Sequence, residues 1–139
     1  MVFKKLKNRT KVILIVQSVG MLMGTSTHLL WVFKNGFLSD NYNAPIFSKI
    51  FWDSLIILDP IAVILLFFKP KLGLYLTAII ISFDIIHNNI FYIEELYLNP
   101  PELGIWIKKY WMILGQIIFG GFVVLTYTEN LKEIKSKTN

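Results

Sequence analysis

Four long apolar runs, each fenced by basic residues, decide what this chain can become. Residues 12–33 and 110–128 form runs of 22 and 19 residues without a charge. Residues 50–68 form a run of 19 broken by Asp53, Asp59 and Pro60, and residues 72–93 a run of 22 holding Asp84 and His87. A helix needs about 20 mostly apolar residues to cross the hydrocarbon core of a bilayer, and each run meets that length. A helix of a water-soluble protein would keep one face polar throughout; these do not. The fold class expected is therefore all-α, an integral-membrane four-helix transmembrane bundle. A single domain over residues 1–139 is expected, with helices at 12–33, 50–68, 72–93 and 110–128.

Composition removes other classes. Only 17% of the residues are charged, against about 25% in soluble domains. The chain has no cysteine, which removes disulfides, iron–sulfur clusters and thiolate zinc sites. Two histidines are too few for the clusters of metal hydrolases and desaturases. The net charge of +5 sits between and beyond the apolar runs, which disfavours nucleic acid as a partner.

The same charges set a direction. Lys4, Lys5, Lys7, Arg9, Lys11, Lys69, Lys71, Lys132, Lys135 and Lys137 fall on one side, and Lys34, Lys49, Lys108 and Lys109 on the other. The positive-inside rule then puts both termini in the cytoplasm, at the cell membrane if the source is bacterial. No small-x-small cleavage site follows the first run, so it is read as a retained helix. Trp31, Trp52, Trp106 and Trp111 fall at outer helix ends, where amphipathic rings settle among headgroups. Residues 69–71 make a tight turn. Residues 34–49 and 94–109 make outer loops, the second broken by Asn99-Pro100-Pro101, with an interfacial re-entry expected around Gly104 and Trp106. Residues from Glu129 onward read as a solvated, frayed helical tail.

Polar residues inside the runs carry the functional signal. At about 1.5 Å per residue, His28, Asp84, His87, Asn88 and Gln116 all fall in the outer half of the bilayer, with Asp59 the deepest. The inner half reads as hydrocarbon, and Asp53 lies near the headgroups as a solvated acid. A carboxylate near the bilayer centre costs roughly 2.5–3.5 kcal/mol on insertion scales, so Asp59 and Asp84 are expected to face the bundle interior. Asp84, His87 and Asn88 stand at i, i+3 and i+4 on one helical face. Gln17, Gly20, Gly24 and His28 share another, with Gly20-x-x-x-Gly24 permitting close helix approach; Gln116 and Gly120 form a third. Pro60 removes a helix hydrogen bond directly after Asp59 and is expected to kink the helix. His28 and Asp59, about 8 Å apart in height by helix rise, are the expected pair. These residues read as a ligand pocket of His28, Asp59, Asp84, His87, Asn88 and Gln116.

The order of these groups resembles the EXPERA-domain family, which includes the emopamil-binding sterol isomerases. The matching residues are Ser26-Thr27-His28, Trp52-x-Ser54, Asp59-Pro60, and Asp84 with His87. The resemblance spans nearly the whole chain and implies a lipid- or sterol-like or cationic amphiphilic ligand held inside the bundle. It implies His28 and Asp59 as the proton-handling or ligand-cation pair, and double-bond isomerisation as the reaction. The family carries a glutamate in its second helix with the proline further on, whereas Pro60 here follows Asp59 directly.

Two other classes stay open. His28 and His87, on different helices at similar depth, are a candidate axial pair for a b-type haem. A non-catalytic assembly or transport subunit is the other, although the first helix lacks the acid of four-helix multidrug exporters. Apart from the haem alternative no cofactor or metal is expected. The expected partners are membrane lipid and a hydrophobic small molecule, with self-association into a homo-oligomer left open.

Overall fold

The computed structural model describes residues 2–137. After a short α1 (Val2–Lys5) come four long helices: α2 (Asn8–Asn35), α3 (Ile46–Phe68), α4 (Pro70–Phe91) and α5 (Leu103–Ser136). A 3-10 turn (Asp40–Tyr42) and a π turn (Glu94–Leu98) sit in the two longer connections. Among the described residues there is no strand. Each of the four helices is long and apolar enough to cross a membrane. The chain is an all-α, four-helix membrane bundle.

Local signals place the helix ends. Gly36 ends α2 at φ +87°, a conformation that side-chain-bearing residues adopt only with strain. Pro45 precedes α3. Pro70 opens α4 at a position where a missing N–H costs nothing. Pro100 and Pro101 interrupt the chain just ahead of α5. All four helices run past the expected limits at one end or both, because flanking residues extend a helix rather than leave its terminal backbone groups unsatisfied. At 34 residues, α5 is about 51 Å long, well beyond the ~30 Å hydrocarbon core.

That length corrects two expectations. Gly104 and Trp106 form no re-entrant segment: they lie in α5, where Trp106 packs on Tyr110 and Leu96 and donates to the Leu96 carbonyl at 3.3 Å. Nor is the stretch after Glu129 a solvated tail. Ile134 is fully buried with Leu6, Leu14, Leu66 and Leu74, because the start of the chain folds back against this end of α5. Pro60 lies inside α3, which continues through it to Phe68.

The helices pack in chain order, α2 on α3, α3 on α4 and α4 on α5, and α5 closes against α2. The bundle is turned inside out relative to a soluble one. Phe33 is 80% and Leu125 83% exposed, whereas Gln17, Asp59, Thr77, Asp84 and Asn88 are buried. Such an exterior is stable only in an apolar solvent. The inner half is also less purely hydrocarbon than expected, since Gln17 donates to Thr126 across α2 and α5 at 3.4 Å and Thr77 is fully buried beside α3. Hydroxyls on the helices mostly serve their own backbone: Ser18, Thr25 and Ser26 each donate to the carbonyl four residues back.

The turn between α3 and α4 is as tight as the sequence implies. A Cβ on Gly73 would lie 2.3 Å from the backbone nitrogen of Leu66, and backbone does not yield as a side chain does. Gly73→Ala should therefore destabilise the bundle by at least the roughly 1–3 kcal/mol of core overpacking. Gly121→Ala, with nothing within 4 Å of the added atom, should be neutral. Thermal unfolding of both variants in the same detergent checks this contrast.

Candidate functional site

Most of the expected site residues gather around one cavity of about 540 Å³ within the bundle. Its walls come from all four long helices. α2 contributes Gly20, Gly24, His28 and Trp31; α3 contributes Trp52 and Asp59; α4 contributes Ile80, Ile81, Asp84 and Asn88; α5 contributes Gln116 and Phe119. Five of the six expected site residues, His28, Asp59, Asp84, Asn88 and Gln116, line this one space.

Asn88 organises the polar wall. Its Nδ2 donates to Asp84 Oδ1 and to Gln116 Oε1, both at 2.9 Å, while its Oδ1 accepts from Trp52 Nε1 at 2.8 Å. One side chain on α4 thus fixes groups on α3, α4 and α5. Asp84 and Asn88 are both 6% exposed, and in so dry a setting each lost bond would leave a buried group unpaired.

Asp59 is held differently. One carboxylate oxygen lies against the backbone of α2 at Gly24, where a Cβ would come within 2.9 Å. The other, Oδ1, has no hydrogen-bond partner. Gly24 therefore serves the site itself: its bare Cα makes the room that Asp59 occupies. Asp84 and His28 line the same cavity. The structure contains no hydrogen bond between Asp59 and His28. Trp31 Nε1, also on the cavity wall, is a second buried polar atom without a partner.

His87 does not join them. It sits among Phe47, Phe51, Trp52 and Phe91, with ring centroids 4.8 to 6.5 Å away, and its Nε2 is buried without a partner. The i, i+3, i+4 face splits here for a geometric reason: at about 100° per residue, i+4 lies about 40° to one side of i and i+3 about 60° to the other. Asn88 turns with Asp84 into the cavity and His87 turns out into the aromatic cluster. The two histidines share no common cavity for a haem.

The loop between α2 and α3 closes one end of the site, which the sequence did not foretell. Tyr42 lies between Trp31 and Trp52, with centroids at 4.9 and 5.2 Å, and lines the cavity with Asn41. Asp53 holds it there. Rather than being a solvated acid at the headgroups, Asp53 is buried and accepts from Tyr42 Oη at 2.6 Å and from the Leu38 N–H at 2.7 Å. Burial, and then the bond to Asp53, push the Tyr42 hydroxyl well above its ordinary pKa, so it remains the donor at physiological pH. Asp40 and Lys49 pair at 2.5 Å and clasp the same loop to α3, and the Lys49 hydrogen bond holds the Asp40 carboxyl below its usual range. A tyrosine eleven residues before an aspartate was the available signal, but its meaning depends on the fold of the loop.

Comparisons with protein-family models, with curated proteins and with solved structures give no match. The site is therefore argued from its own geometry.

Asn88→Leu should strand Trp52 Nε1 and free Gln116 and Asp84, costing about 1–3 kcal/mol for each group left unsatisfied. In a double-mutant cycle, Asn88→Leu and Gln116→Leu should couple by roughly 0.5–3 kcal/mol, whereas Asn88→Leu with Thr126→Val should be additive within about 0.5 kcal/mol. Chemical denaturation in detergent reads both.

Proposed function

We propose that this membrane protein binds an amphiphilic, lipid- or sterol-like molecule in the outer-half cavity. The observation that carries this reading is a pair of unpartnered polar atoms buried at the cavity wall, the acceptor Asp59 Oδ1 against Gly24 and the donor Trp31 Nε1 about two turns further along α2. Buried polar groups normally find partners, and the polar groups of a ligand lying along the wall would supply them. The rest of the wall suits an apolar body: Met21, Ile80, Ile81, Ile113 and Phe119 line it. A mostly apolar cavity with a few convergent polar groups is the usual form of a small-molecule site.

The EXPERA resemblance agrees in ligand class. A double-bond shift, which it also implies, needs a proton donor at one carbon and an acceptor at another. His28, Asp59 and Asp84 are the wall groups able to exchange protons. Binding does not depend on that step, and the reading stands on the cavity.

Trp31, Tyr42 and Trp52 ring the site, so tryptophan fluorescence reports occupancy. Purified full-length protein titrated with cholesterol, ergosterol and dioleoylglycerol should show saturable quenching with at least one of them. Asp59→Leu and Gly24→Leu should each weaken it about tenfold or more, a loss of about 1.4 kcal/mol. Asp59→Leu should be as stable as the parent or more so, because a packed apolar group replaces a buried charge. Unchanged binding in both variants would remove the cavity from the function.

The lysine distribution supports cytoplasmic termini. In a cysteine-free chain, a cysteine at Asn99 should react with an impermeant maleimide on intact cells and one at Lys135 should not. The reverse pattern would invert the topology.

A further inference from the structure

The lysine-rich end of the bundle carries a second opening that the outer cavity does not explain. It is a cleft of about 560 Å³ between the first turn of α2 and the last turns of α5. Lys7, Arg9, Lys132 and Lys137 line it, with Glu129 and Glu133. Both carboxylates are engaged by the protein. Glu129 pairs with Arg9 at 2.9 Å; Glu133 accepts from the Lys7 backbone N–H and from Thr10 Oγ1. Among the described residues the side chains of Lys7, Lys132 and Lys137 form no ion pair. Asn130 also lines the cleft. It is 1% exposed, and its Nδ2 is buried with no acceptor.

We propose that this cleft binds the phosphate of an anionic phospholipid headgroup. An unpartnered amide donor with three unpaired ammonium groups around it calls for a ligand rich in acceptor oxygens and negatively charged, and a phosphate diester is both. The cleft's own acids are already occupied, so its lining leaves an excess of positive charge. Its place at the end of the spans puts it at headgroup level. A zwitterionic choline headgroup would bring its cation against the lysines; a glycerol headgroup would not. The site lies at the opposite end of the bundle from the Asp59 cavity and stands independently of what binds there.

The test uses full-length protein in maltoside micelles, with bound lipid counted by native mass spectrometry. Dioleoyl phosphatidylglycerol should be retained in preference to dioleoyl phosphatidylcholine. Lys132→Gln with Lys137→Gln should weaken that retention by about fivefold or more. Lys4→Gln with Lys5→Gln removes the same charge from exposed residues outside the cleft and should leave retention nearly intact. Asn130→Leu should also weaken retention, while unfolding at the same or a higher temperature than the parent in lipid-free micelles, since it removes a donor that has no partner there. Equal losses in the two lysine pairs, with Asn130→Leu behaving as the parent, would overturn the site in favour of a diffuse basic surface. Inorganic phosphate displacing the lipid at low millimolar concentration would overturn the lipid as occupant and assign the cleft to a soluble phosphate.

Discussion

The interior of this bundle depends on one amide. Asn88 joins Trp52 of α3, Asp84 of α4 and Gln116 of α5 through three hydrogen bonds. In lipid the hydrophobic effect does not drive helices together, and association rests on packing and interhelical hydrogen bonds. A residue that satisfies groups on three helices therefore supplies both cohesion and register. It also turns Asp84 and Gln116 toward the space that α2 closes, so the cavity is a consequence of how the helices are tied.

Elsewhere on the cavity wall, polar capacity is left unmet. Asp59 and Trp31 keep polar atoms without partners, and Gly24 leaves the room in which the Asp59 carboxylate sits. Above them the Trp31–Tyr42–Trp52 stack covers the site, pinned through Asp53. The lid is thus fastened by a hydrogen bond to a carboxylate on the same helix as Asp59, six residues away. The Asn88 network and the Tyr42–Asp53 latch are bonded, and two of the unpartnered buried atoms, on Asp59 and Trp31, belong to residues that line the cavity.

The two ends of the molecule differ in kind. At the end capped by the α2–α3 loop, that loop and its aromatic rings cover polar groups. At the lysine-rich end, α1 and the last turns of α5 pack around Leu6 and Ile134 and leave charged groups lining an open cleft. The last turns of α5 pack against the start of the chain, because α5 is long enough to bring Ile134 onto Leu6 and Leu14.

By itself the sequence determined the class of fold, the four spans, the tight turn at Lys69–Lys71 and the level at which most interior polar groups collect. Those follow from lengths of apolar runs and from helix rise, which are local quantities. It also singled out Asp59, Asp84, Asn88 and Gln116, because an ionisable or amide group within a span has few tolerable places to go. Only the tertiary structure decided which of them meet. It separated His87 from Asp84 by about 60° and from Asn88 by about 100° around one helix, and it left Asp59 facing Gly24 without a bond to His28. It also made Asp53 and Tyr42 a latch and buried Asn130 and Ile134 in what reads as a polar tail. The reason is the same in each case: a one-dimensional pattern fixes depth and face only to within about a quarter turn. A hydrogen bond is decided by tenths of an ångström, which are set when neighbouring helices choose their rotation and the loops choose where to fold.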